Sequence, residues 1–344
     1  LIRALEDDFI TLGIESSCDD TGVAVMRGAD CVLASELSSQ IDSHSQYGGV
    51  VPELASRMHQ EAIIPLLERV LDEAGIKDPA KEIDLVAVTA GPGLIGSLLV
   101  GVMTAKGLAQ GWNVPLIGVN HLEGHIFANF VAHKELKPPF ISVIVSGGHT
   151  ELVYVKEFGD YELLGSTRDD AAGEAYDKVA KVLGLGYPGG PAIDKLAKEG
   201  NPDAFPLPLP LSNTKEIEFS FSGLKTATVT LIKQAENAGR PLNINDLCAS
   251  FQKAVVDSLC GKIMLAVKKT GVRSVALSGG VAANSGLRAK LSELAAKGGW
   301  NVFLPPAAMC TDNAVMVAAA GRDSYRRGNI SDLSLSPDPS WEIW

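Results

Sequence analysis

FITLGIESSCDDTGVAVMRGADCVLASEL, residues 9–37, sets the architecture of the chain. Its three β-rich runs, FITLGIE at 9–15, GVAVM at 22–26 and CVLASEL at 31–37, are separated by turn-forming residues, which predicts a β-meander. Downstream, residues 52–74 have the spacing of an amphipathic helix, LVAVTAG at 85–91 reads as a buried strand, and GPGLIGS at 91–97 turns the chain into another helix. The same order returns with FISVIVSGG at 140–148, ELVYVKE at 151–157 and YELLGST at 161–167, followed by helices and the strand SVALSGG at 274–280. A repeated meander–helix–strand order predicts a duplicated α/β protein of two lobes with a ligand cleft between them. The expected lobes are 1–120 and 121–326, with 327–344 packing back on the first. FPLPLPLSN at 205–213 is too rich in proline for a helix or a central strand and reads as an insertion loop.

The length of 344 residues suits two domains. With 46% hydrophobic and 21% charged residues the chain is neither disordered nor a coiled coil. Thirty basic against 41 acidic residues leave a net charge of −11, which argues against a purely electrostatic nucleic-acid binder, so RNA would need a local basic face or a partner. Lys225, Arg57 and Lys253 are candidates for that face. The five cysteines form no CxxC pair and fit reduced thiols. Residues 1–9 carry acids and lack a secretory signal pattern, and no apolar run reaches ~18 residues, so a cytoplasmic protein without a membrane span is expected.

HLEGH at 121–125 follows the strand-like PLIGVN. On a helix, His121 and His125 project to one side and can chelate one metal ion; the alternative is a pair of hydrogen-bonded polar groups at a domain seam. Glu123 stands two positions after the first histidine, about 200° around the helix from it, so the general base of a metallopeptidase is missing. Asp312 begins an apolar helix, where it could simply offset the helix dipole as N-cap or N1 residue; beside two imidazoles it becomes the candidate third ligand, a set that suits iron(II) or zinc.

VIVSGGHTEL at 143–152 and VALSGGVAANSGLR at 275–288 share a strand-then-glycine design, taken as lying in corresponding positions, whose backbone N–H groups can approach phosphate oxygens. Glu15, Ser16, Ser17, Asp19, Asp20 and Thr21 form a polar turn open to two readings, turn capping or a phosphate- or metal-facing loop. Asp177, Lys178 and Asp194 flank a glycine-rich turn at 186–190, where the carboxylates could take ribose hydroxyls; a solvated helix face is the competing reading for Lys178, and helix capping is the expected role of Asp169 and Asp170.

Taken in order, GIESSCDDTGVAV, SQIDSHSQYGGVVPELASRMH, GPGLIGSLLVG, HLEGH, VSGGHT, GEAYDKVAK, FSFSGLKTA, SGGVAAN and CTDNA resemble the TsaD family of tRNA N6-adenosine threonylcarbamoyltransferases over nearly the whole chain. The resemblance implies a duplicated actin-like, sugar-kinase-like (ASKHA) α/β fold and transfer of threonylcarbamoyl from threonylcarbamoyl-AMP to N6 of adenosine 37 in tRNAs reading ANN codons, forming t6A. It implies a divalent metal, iron(II) or alternatively zinc, on His121, His125 and Asp312. It also implies contacts to the phosphate and threonylcarbamoyl portion from Ile144, Val145, Ser146, Gly147 and Gly148, and to the adenylate from Asp177, Gly190, Asp194 and Asn284. ATP, with Mg2+, is an alternative occupant. Implied partners are the tRNA anticodon loop, the paralogue TsaB, the ATPase TsaE and a separate synthase of TsaC type. Glu15 and Ser16 fall where actin-like ATPases have their first phosphate loop, and Asp20 departs from the glutamate common in the family. The competing reading is an actin-like ATPase or small-molecule kinase, against which two histidines count, because such enzymes hold Mg2+ through carboxylates and water. An inert scaffold would lack HLEGH and the SGG turns.

Overall fold

The computed structural model describes residues 7–344; the first six, which belong to the segment without a signal pattern, lie outside the described residues. The described residues form two compact units, one of residues 7–135 and 312–344 and the other of residues 136–311. This division differs from a boundary at residue 120, because the helix that begins with HLEGH packs against the helix after Asp312 within the first unit.

The first unit contains β1 (Ile10–Glu15), β2 (Asp20–Arg27), β3 (Cys31–Ser39), α1 (Ile41–Ser45), α2 (Pro52–Glu73), α3 (Pro79–Glu82), β4 (Leu85–Gly91), α4 (Ile95–Trp112), β5 (Leu116–Asn120) and α5 (His121–Ala132). Its sheet has the order β3-β2-β1-β4-β5: β1, β2 and β3 are the antiparallel meander, and β4 and β5 run parallel to β1. The second unit contains β6 (Phe140–Val145), β7 (Thr150–Glu157), β8 (Asp160–Ser166), α6 (Ala172–Val182), α7 (Gly189–Ala197), α8 (Ser222–Asn237), α9 (Ile244–Thr270), β9 (Ser274–Ser278), α10 (Ser285–Gly298) and β10 (Asn301–Phe303). Its sheet order, β10-β9-β6-β7-β8, repeats the first: an antiparallel meander with two further strands parallel to its first member. The duplicated α/β architecture is therefore present in the strand pairing itself. Helix α11 (Ala314–Arg326) returns to the first unit.

Strand alternation builds the first unit. Val25, Leu12 and Val86 pair across β2, β1 and β4, as do Val23, Ile14 and Val88. Both rows are buried in one core with Ile63, Leu66 and Val70 of α2 and Val102 and Ala105 of α4. The row between them is Ala24, Gly13 and Ala87. These small residues let α11 lie close: a Cβ on Gly13 would stand 2.9 Å from the Ala318 Cβ, and one on Gly321 would stand 2.3 Å from the Ala87 Cβ. The C-terminal segment closes over the ends of β4 and β5, with the Asp338 N–H donating to the Ala90 carbonyl at 2.8 Å and the Asn120 amide donating to the Trp341 carbonyl at 2.8 Å.

In the second unit α9 is 27 residues long, starting where the Asn243 side chain accepts from the N–H groups of Asn245 and Asp246 and ending at the left-handed Gly271. Residues 205–213 contain no helix or strand, and the buried Lys262 ammonium ties the segment after them to α9 through the Thr214 hydroxyl and the Thr214 and Glu216 carbonyls.

Candidate metal centre and nucleotide-binding groups

The carboxyl ends of β1, β4 and β5 lie side by side because the three strands are parallel neighbours. Asn120, at the end of β5, caps α5 by accepting from the Leu122 N–H at 2.9 Å, so the helix starts abruptly and carries His121 and His125 in its first turns. Asp312 precedes α11. It is not the helix cap: Asn313 holds that position and accepts from the Met316 N–H at 3.0 Å, leaving the Asp312 carboxylate for the histidines. Asp312 Oδ1 lies 3.2 Å from His125 Nε2 and 3.5 Å from His121 Nε2.

These three residues fit a metal ion. Their candidate ligand atoms all lie within 4.8 Å of one another. Ligands at about 2.1 Å from one ion stand roughly 3.0–3.4 Å apart, close to the two measured separations. His125 is completely buried, and among the described residues neither ring nitrogen has a partner in hydrogen-bonding geometry, even though Nε2 is within ion-pair distance of Asp312. A buried imidazole without a hydrogen bond is costly, and a metal–nitrogen bond removes that cost.

Electrostatics point the same way. Burial pushes His121 down, but the carboxylates of Asp312 and Glu15 outweigh it and hold the imidazole at about 9. Burial pushes Glu15 up, yet the charge and hydrogen bond of His121 hold it below its ordinary value. The pocket is thus built to stabilise positive charge. Asp20 is pushed up to about 7 by burial, opposed by a hydrogen bond from Ser39 and reinforced by Asp312, Asp19 and Glu15.

Of the first polar turn, Glu15 and Ser16 are fully buried and bonded internally. The Ser16 hydroxyl donates to the Ser97 carbonyl at 2.9 Å, and Glu15 accepts from the Ser17 N–H and the Thr89 hydroxyl, so neither is displayed as part of an open phosphate loop. Glu123 turns to Arg327 at 2.7 Å, away from the imidazoles, as its helical position requires.

In the second unit the two SGG turns are not counterparts across the duplication. They follow β6 and β9, parallel neighbours in one sheet, and a Cβ on Gly279 would stand 2.4 Å from the Val145 carbonyl oxygen. Ile144 and Val145 are buried strand residues, whereas Gly147 and Gly148 are exposed with open space around their Cα atoms. Ser146 shapes the turn, its N–H donating to the His149 carbonyl at 2.8 Å.

Asp177 accepts from the Gly189 N–H at 2.7 Å and fixes the start of α7, where Gly190 faces open space. Asp194 Oδ1 accepts from the Gln252 amide and from the Ser285 N–H and hydroxyl, which leaves Oδ2, 3.4 Å from Lys198 Nζ, as its other face. The Asn284 side chain caps α10 through Leu287 and donates to Gln252 at 2.7 Å. Asp194 and Asn284 are thus joined through Gln252, which the sequence reading missed; it sits inside a long helix with no local motif to mark it. Asp169 caps α8 rather than α6, accepting from the Phe221 and Ser222 N–H groups, and Asp170 pairs with Lys178 and Lys225. Lys225 is therefore occupied internally, and Arg57 and Lys253 each pair with an acid four residues away on their own helix.

The model of the family "TsaD: tRNA N6-adenosine threonylcarbamoyltransferase" matches residues 31–319. Proteins named tRNA N6-adenosine threonylcarbamoyltransferase from Clostridium beijerinckii and Clostridioides difficile are each 50% identical, over 337 and 336 residues, covering 98% of this chain and 99% of theirs. Among solved structures, full-length HypF in a phosphate- and nucleotide-bound form has a TM-score of 0.63 at 16% identity, covering 96% of this chain and 48% of that one. The Acidaminococcus fermentans (R)-2-hydroxyglutaryl-CoA dehydratase component A has a TM-score of 0.53 at 15% identity, covering 92% and 99%. These likenesses concern the duplicated ASKHA-type fold. Among the described residues no helix is long and apolar enough to cross a membrane. The chain belongs to the TsaD family, acyltransferases of t6A tRNA modification.

Proposed function

We propose that the chain transfers the threonylcarbamoyl group of threonylcarbamoyl-AMP to N6 of adenosine 37 in tRNAs reading ANN codons, and that His121, His125 and Asp312 hold the divalent metal, iron(II) in preference to zinc. The observation that carries this reading is the set of two buried imidazoles and one carboxylate within 4.8 Å, in a chain whose relatives are named for the transfer. When bound, the metal supplies Lewis-acid polarisation to an acyl oxygen. In the transfer, N6 forms a bond to the carbamoyl carbon, the bond from that carbon to the phosphate oxygen breaks, AMP departs with the electron pair, and the amine gives up a proton.

The protein's share is positioning. Backbone N–H groups around Ser146, Gly147 and Gly148, at the end of Ile144 and Val145, receive phosphate and threonylcarbamoyl oxygens; Gly190 admits the adenylate closely, while Asp177, Asp194 and Asn284 shape its site. With Asp194 Oδ1 saturated, its Oδ2 is the atom offered to a ribose hydroxyl. The adenosine must leave its stack at a cost of a few kcal/mol, which favours a loop base. A net charge of −11 and internally paired Arg57, Lys225 and Lys253 support shared tRNA binding with TsaB and TsaE, and a TsaC-type synthase supplies the adenylate in the cytoplasm.

The test is to incubate the chain, with and without those partners, with threonylcarbamoyl-AMP and unmodified tRNA and to score t6A by mass, alongside a His121→Ala/Asp312→Ala double variant. Partner-dependent t6A that disappears in the variant is expected. Absence of t6A while the chain consumes Mg-ATP or phosphorylates a small alcohol overturns the reading in favour of the kinase-like alternative.

A further inference from the structure

We infer that Glu15 is the positioning residue that makes His121 a metal ligand through Nε2. The inference rests on the metal reading above and adds a residue to it. Glu15 ends β1, Thr89 lies near the end of the adjacent β4, and His121 follows the end of β5, so the sheet order brings the three into one buried row. Two donors fix the carboxylate: the Ser17 N–H reaches Oε1 at 2.6 Å and the Thr89 hydroxyl reaches Oε2 at 2.7 Å. Held there, Oε2 faces His121 Nδ1 at 3.2 Å.

Both oxygens already act as acceptors for these two donors, and an accepting oxygen is matched by a hydrogen on the ring nitrogen that faces it. The Ser17 hydroxyl is also 3.2 Å from Nδ1, but a hydroxyl serves either tautomer and selects neither. With the hydrogen on Nδ1, the lone pair lies on Nε2, the nitrogen 3.5 Å from Asp312 Oδ1. A carboxylate behind a ligating imidazole fixes its rotation and raises its basicity. Among the described residues His125 has no such support, since neither of its ring nitrogens is hydrogen-bonded. The two histidines therefore differ: packing alone positions His125, and a built hydrogen-bond chain from Thr89 through Glu15 positions His121.

The first experiment needs no variant of Glu15. In zinc-loaded wild-type protein labelled with 15N-histidine, and with His121 assigned through a His121→Asn sample, His121 should show a protonated Nδ1 and a metal-bound Nε2. The reverse pattern overturns the inference. The second measures zinc affinity by chelator competition and the visible spectrum of the cobalt(II)-loaded chain. Glu15→Gln should weaken zinc binding about 10- to 100-fold and alter the cobalt bands, and Thr89→Val should weaken binding a few-fold. Wild-type affinity and an unchanged spectrum in a folded Glu15→Gln chain would sink the Glu15 assignment while leaving the triad intact. Zinc binding that is equally tight in Asp312→Ala would sink the metal reading itself, and the inference with it.

Discussion

A Cβ placed on Gly13 would stand 2.3 Å from the Ala314 carbonyl oxygen. Gly13 is a strand residue two positions before Glu15, and Ala314 opens the helix that follows Asp312, so this contact sets how closely the segment carrying one candidate metal ligand approaches the strand beside the other two. Gly13→Ala should push the start of α11 off the sheet, destabilise the chain by about 1–3 kcal/mol and reduce metal retention. Parallel denaturant unfolding and metal analysis check it; a variant with wild-type stability and full metal content would show that the contact relaxes freely.

Asp20 makes stability depend on pH in an unusual direction. Its folded-state value is pushed up to about 7, above the ordinary 3.8, first by burial and then by neighbouring carboxylates. Below about pH 4 the folded and unfolded forms are both protonated and Asp20 contributes nothing to the pH dependence. Between about pH 4 and 7 the folded state binds more protons than the unfolded one, so stability falls as pH rises, and above pH 7 the full cost persists. The shift converts to at most about 4 kcal/mol, and water reaching the half-buried side chain reduces the expected gain from Asp20→Asn to about 1–2 kcal/mol at pH 8. No gain is expected at pH 4. Denaturant melts of both proteins at the two pH values decide it, and an equal gain at both would exclude titration as the cause.

Gln252 should act on nucleotide and not on metal. It donates to Asp194 and accepts from Asn284, so Gln252→Leu leaves both without their shared partner. Loss of such buried hydrogen bonds costs about 1–3 kcal/mol, which predicts adenylate binding weakened roughly ten- to hundredfold by calorimetry, with zinc content unchanged. Unaltered nucleotide affinity would remove Asp194 and Asn284 from the adenylate site.

Glu123 separates transfer from peptidase chemistry. Its carboxylate is paired with Arg327, and a peptidase base would lose about 10²–10⁴ of its rate on becoming an amide. Glu123→Gln should keep t6A formation within about threefold and lose less than about 1 kcal/mol of stability. A hundredfold loss with the fold intact would give Glu123 a role at the reacting atoms.

Local pattern was enough for much of this molecule. The alternation in residues 9–37 marks the meander, its return at 140–167 marks the duplication, and the i, i+4 spacing of HLEGH puts two imidazoles on one side of a helix, because strand and helix periods are properties of the backbone. The glycine turns were visible for the same reason. Their mutual placement was not: β6 and β9 are neighbours through a parallel pairing across more than a hundred residues, which no local pattern encodes.

The remaining relationships come from packing between distant segments. Asp312 read either as a helix-capping acid or as a third ligand beside the histidines; Asn313 takes the cap, and close packing of α11 on Gly13 brings the carboxylate to His125. Glu15 read as one polar residue in a turn until three parallel strand ends aligned it with Thr89 and His121. Local pattern specifies which elements form and which residue types they carry; strand order and helix packing select which side chains meet, since hydrogen bonds and ligand sets depend on distances of a few ångströms between segments far apart in the chain.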